Sequence, residues 1–193
     1  MRLVIASRNS HKLRELGGLL AAHSLVPMPY WTPIPPETGE TFAENAVVKA
    51  HAAAVHVGLP AVADDSGIVV PALGGAPGVR SARFAGDAAT DDENLSKLLD
   101  EIRNKQDRRA EYVCAMAFVE PDGTKQVFEE RCAGRLIDTP RGEGGFGYDP
   151  VFVPDDLDGA ERTMAELSQV EKDSISHRGR AARKLAEWLS PGP

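Results

Sequence analysis

The first twenty residues constrain the fold most. Arg2 to Ala6 is a short apolar run that reads as a buried strand, and it breaks into the polar turn Ser7-Arg8-Asn9-Ser10. Beyond the turn, Leu13, Leu16, Leu19 and Leu20 recur on one face of a helix. Strand, polar turn and helix in that order is the layout of a phosphate-binding βα junction, because the N–H groups at a helix start lack intrahelical acceptors and face an anion well. Leu25 to Pro29 reads as a second strand, giving βαβ. Ser7 and Asn9 would supply neutral donors, and Lys12 a point charge one turn in, a set that suits a triphosphate tail. The same residues also make a plain N-cap with a solvated lysine. The turn is not a P-loop, since no glycine run closes in Gly-Lys-Ser/Thr.

Further along, Pro33, Pro35 and Pro36 make residues 31–39 a loop. Thr41-Phe42-Ala43-Glu44 has capping-box form and predicts an alanine-rich helix to Val57, stopped by Gly58 and Pro60. Ala61 to Ala63 reads as a short strand running into the turn-like Asp64-Asp65-Ser66-Gly67, with extended structure resuming at Ile68. Residues 73–87 form a glycine- and proline-rich loop, the kind that is often functional. Thr90-Asp91-Asp92-Glu93 is a second capping box, opening a helix through about Arg103. Arg109–Glu120 and Lys125–Asp138 are β-like runs joined by the turn Pro121-Asp122-Gly123-Thr124, hence a hairpin. A glycine-rich loop at 140–150, a strand at Val151–Val153 and a last helix at His177–Leu189 follow. This predicts one α/β domain over 1–193 on a mixed sheet, with the hairpin as an extension.

Composition narrows the function. The 193 residues carry 22 Lys+Arg against 29 Asp+Glu, a net charge of −7, which argues against a polymeric nucleic-acid partner or an anionic membrane surface. A small anionic ligand stays open, because a few convergent cations can hold phosphate inside an acidic protein. Cys114 and Cys132 have neither metal spacing nor the pattern of a disulfide framework, so a reducing, cytoplasmic setting is expected. No apolar run reaches the roughly 18 residues of a membrane span. Met1 to Ile5 is too short for a secretory leader.

Further constellations could carry chemistry. Asp64 and Asp65 are adjacent carboxylates that repel one another, a conflict a hard cation such as Mg²⁺ removes; alternatively they belong to an Asx-type turn. On alternate sides of a strand end, one of them points into a given site. Glu37, in the proline-rich loop with Glu40 nearby, is a fixed carboxylate within reach of a metal, whereas Glu44 is more simply a cap residue. Asn45 and Lys49, at i and i+4, present amide and ammonium on one helical face, or else a solvated surface. In Gly144-Gly145-Phe146-Gly147-Tyr148-Asp149-Pro150, the glycines let backbone approach a ligand, the aromatics offer stacking surfaces for a base, and Asp149 could accept from a base edge. Lys172, His177 and Arg178 lie before and at the start of the last helix, where cations oppose the helix dipole and call for an external anion.

Together these motifs resemble the inosine/xanthosine triphosphate pyrophosphatase family, which clears non-standard purine nucleoside triphosphates. The matching segments are Ser7, Asn9 and Lys12; Thr41-Phe42-Ala43-Glu44-Asn45-Ala46 with Lys49; Asp64-Asp65-Ser66-Gly67; Gly78 with Ser81-Ala82-Arg83; Gly145-Phe146-Gly147-Tyr148-Asp149-Pro150; and Ser176-His177-Arg178. They run in the same order from residue 3 to about 189, and six in order are specific where each alone is weak. The resemblance implies an α/β fold, its mixed sheet flanked by helices and its two lobes set around a central substrate cleft. It also implies a homodimer and Mg²⁺-dependent hydrolysis of ITP, dITP and XTP to the nucleoside monophosphate and pyrophosphate.

By position, Ser7, Arg8, Asn9, Ser10, His11 and Lys12 match the triphosphate-binding segment. Glu37 and Asp65 match metal-binding carboxylates, and Asp65 also matches the general base. Ser66 matches a substrate contact, and Lys49 a lysine near the phosphates. Phe146, Gly147, Tyr148 and Asp149 match the base pocket, with Phe146 stacking. Lys172, His177 and Arg178 match residues that contact phosphates and purine edge. Arg8 stands where many relatives have Gly or Asn: pointing outward it is silent, pointing inward it adds a cation near the phosphates. Asp173 replaces a small or amide residue, with no physical account. Two other readings remain open: a pyrophosphatase acting on pyrimidine or methylated nucleotides, like the septum-formation type, and a nucleotide-binding module without chemistry.

Overall fold

The computed structural model describes residues 1–157, 159 and 161–190. The other five residues of the expected 1–193 domain lie outside that set. The first strand, β1 (Arg2–Ile5), and the helix after it, α1 (Ser10–Leu19), form as the opening pattern predicts. Asn9 caps α1, its side-chain oxygen accepting from the backbone N–H of His11 at 2.9 Å and of Lys12 at 3.3 Å. The second strand, β2 (Ser24–Pro27), pairs parallel with β1, Leu3 opposite Leu25, so the βαβ unit is real.

Both predicted capping boxes are built. Thr41 and Glu44 open α2 (Phe42–Val57), which ends on Gly58 in the left-handed conformation at φ +71°. Thr90 and Glu93 open α3 (Asp91–Ile102). The hairpin is β4 (Arg109–Val119) and β5 (Lys125–Leu136), closed where the Glu120 N–H donates to the Thr124 carbonyl at 2.8 Å. The short β6 (Phe152–Pro154) runs antiparallel to β5.

Several elements differ from expectation. The hairpin is not an extension: β4 and β5 lie inside the sheet, with the strand of residues 61–69 beside β4 and β6 beside β5. Within the expected loop at 73–87, Gly78–Arg83 forms a short 3-10 helix. β3 is one continuous strand, Ala61–Val69, so Asp64-Asp65-Ser66-Gly67 is not a turn. Its carboxylates are buried and paired with cations, which removes the penalty that would have forced the chain to bend outward. A short helix, α4 (Gln169–Ile175), precedes α5 (His177–Leu189). Its start is written in the sequence as a further capping box, Ser168 with Glu171, but seven residues give too few turns for a readable apolar stripe. Lys172 therefore lies in the last turn of α4, where a cation meets the favourable end of the dipole, and not merely ahead of α5.

The six strands form one mixed sheet in the order β2-β1-β3-β4-β5-β6. The chain divides into two compact units. The first is Met1–Asp65, Cys114–Glu130 and Arg178–Pro193; the second is Ser66–Val113 and Arg131–His177. The first has a core of Leu3, Ile5, Leu16, Leu20, Val62, Met116, Phe118 and Leu185. The second is built on Ile68, Leu98, Ile102, Tyr112, Leu136, Val151, Phe152 and Met164. Among the described residues no helix is long and apolar enough to cross a membrane.

Cys114 sits in the first core and Cys132 in the second, both fully buried thiols. Burial pushes the Cys114 thiol up to about 12, so almost no thiolate exists near neutrality. Native protein at pH 8 is expected to take up no iodoacetamide at either cysteine on a timescale of minutes, with both modified after unfolding in guanidinium. Mass spectrometry counts the adducts, and rapid native labelling of Cys114 would contradict its burial.

Candidate active site

The first unit concentrates charge around Asp64 and Asp65, in the middle of β3. Neighbouring side chains on a strand point to opposite faces, and the two aspartates accordingly take different partners. Asp64, 3% exposed, accepts from Lys12 Nζ at 2.9 Å and from Arg178 Nε at 3.2 Å. Arg178, 3% exposed, also pairs with Glu15 of α1. Asp65, 6% exposed, accepts from Lys49 Nζ at 2.8 Å and from Asn45 Nδ2 at 3.2 Å. Lys49 Nζ also reaches Glu37 Oε1 at 2.8 Å. The i, i+4 pair on α2 thus faces the site and not solvent. Asn45 serves it twice, because its Oδ1 accepts the Gly39 N–H at 2.8 Å and pins the loop that carries Glu37.

The electrostatics separate the aspartates. Burial alone would raise Asp64, but Lys12, Arg178 and Lys49 outweigh it and hold the carboxyl well below its ordinary range. Burial raises Asp65, Lys49 pulls it back, and Glu37 adds to the rise, leaving Asp65 above its ordinary value. Burial opposes the Lys49 ammonium, yet Asp65, Asp64 and Glu37 keep its pKa above that of ordinary lysine. Asp64 is a locked counter-ion. Asp65 is the carboxylate whose proton affinity is tuned upward, the property a general base needs.

The opening turn is arranged for a ligand only in part. Ser7 Oγ accepts the Asn9 N–H at 3.2 Å, Ser10 begins α1, and His11 lies against Arg14. Arg8 donates to the carbonyls of Tyr30 at 2.5 Å and Thr32 at 2.9 Å, so its guanidinium is spent on the loop. Glu44 is a cap residue, accepting from the N–H groups of Glu40 and Thr41.

The second unit carries the glycine-rich run. Asp149, 3% exposed, accepts from the Phe146 N–H at 2.9 Å, Lys172 Nζ at 2.8 Å and Tyr112 Oη at 3.1 Å. Both carboxylate oxygens are thereby engaged in shaping the loop. Gly145 permits this closeness: a Cβ there would fall 2.1 Å from Asp149 Oδ2. Lys172 Nζ stands 5.0 Å from the centre of the Phe146 ring. Tyr148 is a core residue, its hydroxyl donating to the Ser81 carbonyl at 2.8 Å, so of the two aromatics Phe146 is the more available to a base. His177 stacks face to face on Tyr112, 4.7 Å between centroids and 6° between planes. Ser66 begins this unit, within β3.

Two residues that shape these clusters are not legible in the local sequence: Glu15 and Tyr112. Glu15 follows Lys12 by three on α1 and looks like a surface i, i+3 pair. Tyr112 looks like any aromatic of a strand. Their roles depend on partners 163 and 37 residues away, respectively, which local pattern cannot supply.

A mixed sheet flanked by helices, with a buried ion-paired cluster in each of the two units, defines an α/β protein with charged candidate sites. The chain belongs to the Ham1 family, whose family model matches residues 3–188. It is 50% identical over 192 residues to the dITP/XTP pyrophosphatase of Streptomyces avermitilis, covering 95% of this chain and 94% of that protein. It is 48% identical over 192 residues to that of Geobacillus kaustophilus, covering 96% and 92%. Among solved structures it resembles the Ham1 protein of Staphylococcus aureus, with TM-score 0.87, 40% identity and 98% of each chain covered. The HAM1 protein of Coxiella burnetii gives TM-score 0.88, 41% identity and the same coverage.

Proposed function

We propose that this chain hydrolyses non-standard purine nucleoside triphosphates, ITP, dITP and XTP, to the nucleoside monophosphate and pyrophosphate. The observation that carries the reading is the convergence of Glu37 and Asp65 on Lys49, in a chain half identical to dITP/XTP pyrophosphatases. Pure binding of a nucleotide gives no reason to bury a carboxylate with raised proton affinity beside a second carboxylate.

Mg²⁺ is the cofactor we assign, held by Glu37 and Asp65. The donor set fits it: two carboxylates with hard oxygens, each 2.8 Å from the same ammonium, whose mutual repulsion a divalent cation would relieve. Among the described residues no group of three or more His, Cys, Asp or Glu could hold a metal. Mg²⁺ commonly takes one or two carboxylates and completes its shell with water and substrate phosphates, so Glu37 and Asp65 are the whole protein donor set proposed for it. When bound, it would neutralise charge on the phosphates and on the departing pyrophosphate.

The chain's own groups do the rest. Asp65 orients a water toward the α-phosphorus and takes its proton, as the new O–P bond forms and the bond to the bridging oxygen breaks. Lys12 and Lys49, with donors of the Ser7–Lys12 turn, stabilise the pyrophosphate. Phe146 stacks on the base, while Lys172 and His177 face the 6-oxo group. A 6-amino group in that place leaves donors unpaired, which discriminates strongly. We further propose a homodimer in the cytoplasm; the two buried thiols suit a reducing compartment.

The test is pyrophosphate release from ITP, XTP, dITP, GTP, ATP and pyrimidine triphosphates. Hydrolysis of ITP is expected to stop in EDTA and return with Mg²⁺, and kcat/KM for ITP to exceed that for ATP by about a hundredfold or more. Equal rates on ATP and ITP would overturn the specificity. Preference for pyrimidines would point to the septum-formation type of pyrophosphatase.

A further inference from the structure

Three consecutive residues of the glycine-rich loop are held in three different ways. The Phe146 N–H is accepted by buried Asp149, and the Tyr148 hydroxyl donates to the Ser81 carbonyl. Between them, Gly147 turns the chain at φ +62°, and its N–H is accepted by Asp91 Oδ2 at 3.0 Å, across 56 residues of sequence. Asp91 is the first residue of α3, yet the capping of that helix does not use it. Thr90 accepts the Glu93 N–H, and Glu93 accepts the Thr90 N–H at 2.7 Å. The Asp91 carboxylate is therefore available for work outside its own helix.

The same end of α3 grips the 78–85 segment as well. Asn94 accepts the Ala85 N–H at 2.8 Å and donates to the Ala82 carbonyl at 3.2 Å. Segment 78–85 in turn provides the carbonyl that takes the Tyr148 hydroxyl. The first turn of α3 is thus tied to the loop directly by Asp91 and indirectly through Asn94.

We infer that Asp91 is a positioning residue for base selection, holding the Phe146–Asp149 loop in register through the Gly147 N–H. The inference rests on the substrate reading above. Asp149 fixes the buried side of the loop and the core fixes Tyr148, so Gly147 is the point where the loop can slip against solvent. An acceptor there costs the core nothing, because Asp91 is exposed. Losing it loosens the ring of Phe146 over the base more than it disturbs the phosphate-handling residues, so the effect falls on KM and base choice and spares kcat.

The experiment compares wild type with D91A, D91N and D92A in steady-state hydrolysis of ITP and ATP, with thermal melts of each. D91A is expected to raise KM for ITP about fivefold, the worth of one hydrogen bond, with little change in kcat and a smaller ITP-to-ATP ratio. D91N keeps an oxygen that can accept the Gly147 N–H, and most of the loss should be recovered. D92A removes an equal charge from the same helical turn and is expected to match wild type in KM and ratio, with a melting temperature like that of D91A. A selective wild type with unmoved KM and ratio in D91A overturns the assignment, as does an equal loss in D92A or no recovery in D91N. Equal wild-type rates on ITP and ATP overturn the substrate reading itself, and the Asp91 assignment with it.

Discussion

Asp65→Asn is expected to lower kcat for ITP by about 10²–10⁴-fold, the usual worth of a general base, while nucleotide binding remains measurable. The substitution is nearly isosteric at a site that is 6% exposed, so packing around β3 is preserved. What changes is chemistry. An amide cannot accept the water's proton, and it is a poor replacement for a carboxylate next to Lys49, which would keep its ion pair with Glu37 but lose the one with residue 65. The substitution leaves in place the cations proposed to hold the phosphates, so binding is expected to persist. Rapid-quench single turnovers separate the chemical step from release, and calorimetry with a non-hydrolysable ITP analogue reports binding. Near-normal turnover by the variant would remove Asp65 from the mechanism. The matching change at Asp64 should behave differently, since that carboxylate is a counter-ion for Lys12 and Arg178 and is held ionised by them.

Arg178→Met is expected to destabilise the fold by about 3–5 kcal/mol, the cost of stranding buried charge. Arg178 is 3% exposed and its guanidinium lies between Asp64 and Glu15. Methionine fills much of the same volume, so the loss comes from electrostatics. Asp64 would retain Lys12 at 2.9 Å, but Glu15, only 9% exposed, would lose its arginine. A urea midpoint shift at unchanged m-value would report the loss. Adding Glu15→Met should restore part of it, because replacing both members of a buried pair by apolar side chains avoids the stranded charge. If the single variant melted like wild type, the guanidinium would have to be solvated in the folded protein. The resemblance assigned Arg178 to the phosphates and purine edge; the geometry shows it first as the clamp that joins α1, β3 and α5.

Much of this was legible in the chain itself. The opening strand, turn and helix, both capping boxes of α2 and α3, the hairpin and the last helix follow from hydrogen bonds and apolar spacings within a few residues, which local sequence encodes directly. The pairing of Asn45 with Lys49 on one face of α2 is local in the same sense. The family could also be recognised from six ordered motifs. What sequence could not say was how the acids divide. Asp64 and Asp65 are chemically identical neighbours. Only the alternation of β3, together with cations arriving from residues 12, 49 and 178, makes one a fixed counter-ion and the other a candidate base. Asp149 looked ready to read a base edge until the fold surrounded it with Tyr112, Lys172 and its own loop. Arg8 could have faced either way, and two backbone carbonyls of the 30–32 segment decided it. Residue type sets what a side chain can do; its proton affinity and its available partners depend on burial and on charges brought near from distant parts of the chain, and those exist only once the tertiary structure has formed.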